Sequence, residues 1–554
     1  MNYTIKPKQV RRICEIHDTH WEDKVHELYR YKSAYETDFW DRTVDESQIQ
    51  VQTADAYGYI ESYISSLFSR NPGVIVKGGV RGKGNPRAAQ HLANDFLVLH
   101  RQEIEDASRL ALIYPMSFVK LAPCQHEDIY RRVDMMALNP WEVILDRDAK
   151  RFKDQRFIAH KYYMTLPEAK YKFGNRTFTP ISKKDYWENV QPYEEFEQLQ
   201  ADDMFKYIEV VEFYDLVNEE IKFWSPQFHS GDRFLEEDKI PFMDHNSEPV
   251  IPIVPLYFNR KPDCPIEGYS AMKRIYDQIY ETNLIRTFQA NGVRKASRQY
   301  LIKRGTLDEE SMAQITSGVD GLFVEVDDDD LAGAVRPLPQ NPTPPELESY
   351  YQQVQNDKDK GSILAPFTRG ESTRASATEI AALAAYTSSE VGRLARERDA
   401  TIEQLARVYL SILALYLEKN KPDVVIIDNK AEVVKSSDLH ENWVIFAQDQ
   451  AMTPISESVR KREFISSIPT LQGLGVPAES LLAEMVRALG LPDTFVEEAS
   501  QARRAQAAQQ QQMVSAAKAN TAQESIQPDA TELQQLAQPV GPNNLNAILG
   551  EQPE

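Results

Sequence analysis

Two helix-capping signals bracket a short polar loop between 343 and 380, and that pairing constrains the fold more than any other feature. The first helix opens Thr343-Pro344-Pro345-Glu346. A threonine hydroxyl can accept from a free N–H of the first turn. Proline suits the first helical position, and the glutamate three residues on can bond back to the cap. The second opens Ser376-Ala377-Thr378-Glu379, the same box, and runs on toward Lys419. Between them, Ser362 to Ala375 is a Gly/Ser/Thr-bearing loop that carries Arg369 and Arg374. At 1.5 Å per residue the second helix extends about 66 Å if unbroken. Val391, Leu394, Ala395, Ile402, Leu405, Val408, Tyr409 and Ile412 form its stripe, interrupted at Arg398, and Pro422 ends it.

Helical spacing predicts an earlier helix over 266–294, with Met272, Tyr276, Ile279, Tyr280, Ile285 and Phe288 on one side and Asn291-Gly292 as a stop. The insert that follows holds strands near 299–303 and 321–326 and a short helix near 307–317. It has too few apolar residues for a core of its own, so it is expected to pack against copies of itself.

Residues 1–265 read as one mixed α/β body. Trp21, Val25, Leu28 and Tyr31 recur at helical spacing, as do Tyr57, Ile60, Tyr63, Ile64, Leu67 and Phe68. A further helix is predicted over 86–114. Alternating runs at 118–121, 142–145, 157–160, 207–217 and 221–224 predict strands. Thr165-Leu166-Pro167-Glu168 caps a short helix, and the Pro-spaced run 250–255 is at best an edge strand. One or two strands at 423–446 rejoin the body. Helices are expected at 456–468, 478–489 and 492–525. The Pro-, Gln- and Asn-rich tail 526–554 has little to bury and is expected to be disordered.

The chain has 554 residues, 42% hydrophobic, with a net charge of −21. That charge argues against an ordinary nucleic-acid binder, which shows a basic face. It still permits a protein that guides DNA without gripping it, since each phosphate neutralised adds affinity. Cys14, Cys124 and Cys264 form an odd, sparse set that fits a reducing compartment without a disulfide frame. The opening residues lack the apolar run of a secretion signal, and the apolar stretches at 250–258 and 409–417 fall short of a membrane span. A soluble protein made in a cytoplasm is expected.

Gly78 to Gly84 is glycine-rich, but Lys77 and Gly84 stand where a phosphate loop needs glycine and Ser or Thr, so a surface loop is the better account. His17, His20 and His26 have no cysteine nearby to complete a zinc pattern and are expected on a helix surface. Asp327, Asp328, Asp329 and Asp330 lack the spaced ligands and glycine of a calcium loop and read as a solvated acidic turn able to dock a basic partner. No cofactor or metal is expected. Arg286, Arg294, Lys295 and Arg298 either pair with Glu346, Glu348 or Asp357 or line a channel, with ion pairing the safer view. For Arg369 and Arg374 alone a solvated loop is the simpler account; their place between two capped helices favours a contact role.

The order helix, insert, helix, basic loop, long helix resembles that of the portal (head–tail connector) proteins of tailed double-stranded DNA bacteriophages, with short-tailed phage portals the nearest likeness. Thr378-Glu379-Ile380 is similar to the start of that family's long helix. The resemblance covers about 1–525 and implies an α+β subunit. Its parts would be a mixed α/β wing (1–265), a two-helix stem (266–294 and 343–361), a small α/β clip (295–342) and a tunnel loop (362–375). The long helix and its return to the wing (376–455), a helical crown or barrel (456–525) and the tail complete it. It implies a non-enzymatic dodecameric ring at one capsid vertex of the virion, assembled in the host cytoplasm, through which DNA of any sequence passes during packaging, retention and ejection. Arg369 and Arg374 would then contact DNA, and Asp327 to Asp330 would dock partners at the clip. Partners implied are a separate ATP-hydrolysing terminase, major capsid and scaffolding proteins, and tail adaptors, with no membrane. The alternatives are a metal-dependent nuclease built on scattered acidic residues and a structural ring scaffold that does not handle DNA.

Overall fold

The computed structural model describes residues 4–40, 49–78, 84–181, 206–244, 246–262, 264, 267–296, 300–302, 309, 313, 335–337, 345–361, 377–420, 422–427, 430–447 and 468. The chain divides into two units, Met1–Glu457 and Ser458–Glu554. The second lies outside the described residues except for Ile468, and with it the expected crown and tail. Also outside are Arg298, most of the clip with Asp327 to Asp330, the loop 362–375 with Arg369 and Arg374, and residues 79–83 of the glycine-rich loop.

The first unit opens with α1 (Pro7–Glu22), α2 (Val25–Tyr35) and α3 (Asp55–Leu67), followed by α4 (Pro86–Leu99) and α5 (Arg101–Ile113). The expected helix over 86–114 is thus two helices, separated at His100. Trp21, Val25, Leu28 and Tyr31 are buried as the spacing predicts, with Ile60, Tyr63, Ile64 and Leu67 of α3; Tyr57 faces solvent. All five belong to one core with α9 (Ala377–Asn420), a single helix of 44 residues. Phe96 of α4 stacks on Tyr409 of α9, centroids 4.0 Å apart. The stretch Val391–Leu417 of α9 is long and apolar enough, by composition, to cross a bilayer. Its Leu394, Leu405, Tyr409, Leu410 and Leu413 are instead the centre of this core.

Arg398 does not interrupt the α9 stripe as the sequence reading had it. It is buried, its guanidinium donates to the Leu67 carbonyl at the end of α3 and to Asp399, and it lies over the Phe68 ring. A helix C-terminus leaves carbonyls without intrahelical donors, so a buried cation is well placed there.

The sheets are antiparallel throughout. β4 (Val143–Leu145), β5 (Phe157–Thr165), β6 (Tyr207–Asp215), β7 (Glu220–Trp224) and β8 (Phe234–Lys239) form a five-stranded sheet in chain order. β2 (Ser117–Pro123) lies between β3 (Val133–Leu138) and β9 (Ile253–Leu256). The proline-spaced run is therefore an edge strand, where a missing N–H costs no ladder bond. Lys120 of β2 joins the two sheets: its ammonium donates to Glu212 of β6 (2.7 Å) and to Nδ1 of His160 on β5 (3.0 Å), all three buried. Burial alone would raise the Glu212 carboxyl, but Lys120 beside it holds it below its ordinary value. α6 (Leu166–Phe173) follows β5 with the predicted capping box, Thr165 N–H to Glu168 at 3.0 Å and Glu168 N–H to Thr165 Oγ1 at 3.4 Å.

After α9 the chain returns as β12 (Asp423–Ile427) and β13 (Lys430–Val434), a hairpin. A short α10 (Ser436–Leu439) and β14 (Val444–Ala447) follow. β14 pairs with β1 (Val74–Lys77), so Val74 lies opposite Ala447. β1, β3 and β8 were not anticipated from sequence.

Candidate functional site

The site of interest is the helix pair that carries the chain out to the insert and back. α7 spans Tyr276–Ala296, after a 3-10 turn over Met272–Arg274, so it starts later than the expected 266. α8 spans Pro345–Gly361, close to the expected range. Their contacts run in opposite order. Tyr350 lies beside Glu281, whose charge raises the phenol, Gln355 donates to Thr282 (3.1 Å), and Gly361 packs on Arg274 and Ile275. A Cβ at 361 would approach the Arg274 carbonyl to 3.2 Å, so glycine permits this close crossing. The two helices are therefore antiparallel. The insert leaves from the end of α7 and returns at the start of α8, and within it β10 (Tyr300–Ile302) pairs with β11 (Val335–Pro337).

Only the first half of α7 buries apolar residues, Ile279 and Ile285 with Met272 and Ile275 just before. Phe288 and Tyr280, expected on that apolar side, are 64% and 44% exposed. The reason is a different kind of contact. Asn283, Thr287 and Asn291, spaced four apart, accept from the backbone amides of Thr53, Val51 and Ile49, each at 3.0 Å. Asn291 also donates to the Ile49 carbonyl at 2.7 Å and Thr287 to that of Val51 at 3.4 Å. Four helical residues advance about 6 Å, and two residues of extended chain about 6.6 Å. The near match lets one helix face serve alternate residues of an extended strap as a neighbouring strand would. Thr53 further donates to Asp55 at the start of α3, and Lys358 of α8 pairs with the same carboxylate at 2.9 Å. Both helices are thus fastened to the N-terminal part of the body.

Among the side chains described on the pair, the exposed acids are Asp277, Glu346, Glu348 and Asp357, and the exposed bases are Arg286 and Lys360. Asp357 pairs with Lys360 at 3.4 Å. Arg286 projects from α7, and among the described residues no carboxylate lies within ion-pairing distance of it. Arg294 and Lys295 sit on the last turn of α7, where the backbone alone is described. Sequence reasoning missed the Asn283–Thr287–Asn291 ladder. Its signal was available: poor helix formers at i, i+4 and i+8 inside a helix need a local partner.

The histidine trio is not a surface set. His17 is buried and donates from Nε2 to the Trp141 carbonyl (2.9 Å), while His20 contacts Glu267 at 3.1 Å and His26 is exposed. Among the described residues no three His, Cys, Asp or Glu side chains gather as a metal site.

The family described as "Phage SU10 portal protein" matches residues 98–409, more than half of the chain, and the chain belongs to that family. It is a portal, or head–tail connector, protein. Among solved structures, one described as "Neck of empty GTA particle computed with C6 symmetry" aligns over 84% of this chain and 94% of its own. The identity is 12% and the TM-score 0.36, too low for inference about shape. No curated protein matches.

Proposed function

We propose that copies of this chain form a ring at a capsid vertex of the virion, with α7 and α8 lining a bore that conducts double-stranded DNA during packaging, retention and ejection. The observation that carries this is the antiparallel α7–α8 pair, fastened to the body through Asp55 and the 49–53 strap. The acidic balance of the chain, −21, keeps a duplex from adhering, since like charge opposes the phosphates. Arg369 and Arg374 supply a few phosphate contacts that slow slippage; phosphate contacts position a duplex without reading sequence. In this scheme the subunit parts are wing, stem, clip, tunnel loop, long helix and crown, with the boundaries given above. Terminase hydrolyses the ATP, and capsid, scaffolding and adaptor proteins dock outside the bore.

The double variant Arg369→Ala/Arg374→Ala tests the loop. It should change stability by no more than about 0.5 kcal/mol, as surface substitutions do, and should assemble normally. It should retain less DNA, with a weaker dependence of retention on salt, because each phosphate contact adds to the salt slope. Unchanged retention and slope would remove the loop from the account and leave Arg286, Arg294, Lys295 and Arg298 as the candidates.

Asp327 to Asp330 would form the clip's docking surface. Changing all four to Asn should weaken terminase or adaptor binding while rings persist. Unchanged binding of both would make the turn a solubilising feature only.

A further inference from the structure

A cleft of about 440 Å³ is lined by α9, by the turn after β4 and by the chain around the end of β9, with no residue of α7 or α8 among its lining. Four cations face it: Arg151 and Lys153 from the turn, Arg260 from the chain after β9, and Arg407 from α9. They are not alike. Arg151 donates to both oxygens of Asp154, at 2.6 and 2.9 Å. Arg260 lies 2.7 Å from Glu397, the one carboxylate that lines the cleft, and over the Tyr257 ring. Those two are answered within the chain. Lys153 and Arg407 are exposed, and among the described residues neither side chain has an ion pair or a hydrogen bond. Gln404, one turn before Arg407 on the same side of α9, adds an exposed amide with no partner. The fold therefore brings unanswered donors from two distant stretches of chain to one cleft whose only carboxylate is taken.

The ligand that completes such a lining is an anion rich in acceptors. A cube of this volume has sides of about 8 Å, less than the ~12 Å width of the major groove alone, so a duplex can touch only the rim. A carboxylate side chain can enter. The chain carries 84 acidic residues against 63 basic ones, so an adjoining copy presents an acid-rich surface. We propose that the cleft is an interface in which Lys153 and Arg407 receive carboxylates of an adjoining copy of the chain. This rests on the ring reading above and adds the surface that joins its members. Opposite charges placed in this way fix which surfaces meet and in what register.

A carbodiimide, which condenses an amine with a carboxylate in contact, tests this on full-length chain assembled from equal parts of ¹⁵N-labelled and unlabelled protein. The expected product joins Lys153 of one copy to an aspartate or glutamate of another, in peptides of mixed label. The double variant Lys153→Glu/Arg407→Glu should need about tenfold or more protein to assemble, as loss of charge-assisted contacts implies. The cross-link is read on the parent protein, so the test stands if the variant does not fold. Assembly of the parent with no such cross-link, or a folded variant that assembles as the parent does, would overturn the cleft and leave the ring standing. Protection of Lys153 from acetylation by a duplex oligonucleotide, without a cross-link between copies, would assign the cleft to DNA and overturn it as well. A parent that forms no assembly at any concentration would remove the ring reading and the interface together.

Discussion

His17 and His160 sit where the fold has removed water, and burial pushes both imidazoles down to about 3. In the unfolded chain each titrates near 6.5. A folded value below the unfolded one means that the unfolded state binds more protons as pH falls. The stability tied to the neutral rings is complete above about 6.5 and is lost progressively on acidification toward 3. Each histidine should cost about 1.4 kcal/mol of stability at roughly one unit below its unfolded value. Urea unfolding at pH ~7.5 and ~5.5 should show the loss, largely above the range where carboxylates titrate. His17→Gln or His160→Gln should flatten the slope; a slope unchanged in both variants would show that neither ring is held neutral. The burial of His17 was not legible in the sequence. The Trp141 carbonyl that receives it is far along the chain, and local spacing alone makes His17 and His20 look alike. Arg398 misled in the same way, because its partner, the Leu67 carbonyl, belongs to a helix more than three hundred residues earlier.

Among the elements, α8 and α9 were legible because their signals are local: a capping box, a stripe and a stop within one stretch. The hairpin β12–β13 and the meander strands β5 to β7 were legible for the same reason. β1 was not, since it is four residues long and its partner, β14, lies at the far end of the described body. The strap on α7 was invisible because residues 49–53 have no periodicity of their own; their amides are satisfied by α7 side chains. Removing one rung should therefore loosen the strap while leaving the helix intact. Thr287→Val keeps the shape of the side chain and deletes the acceptor for the Val51 amide. It should cost about 1 kcal/mol, the net worth of one hydrogen bond, and speed amide exchange at Ile49, Val51 and Thr53. Hydrogen exchange at residue resolution would check this. Exchange as slow as in the parent would mean that the strap is held by packing and not by the ladder. The candidate DNA-contacting residues lie outside the described residues, so for them the sequence alone carries the proposal.

At the scale of the whole molecule, family membership, the antiparallel α7–α8 pair and the insert converge on one expectation. A clip too poor in apolar residues to fold alone needs neighbours, and exposed apolar side chains at Phe288 and Val293 on α7 await cover. The chain should thus assemble without DNA. Electron micrographs of the purified protein, with mass measured by light scattering across concentration, test this most directly. Closed rings with a central hole and a mass many times the 63.5 kDa of one chain are the predicted result. A folded monomer at every concentration, with no ring in the micrographs, would contradict the account.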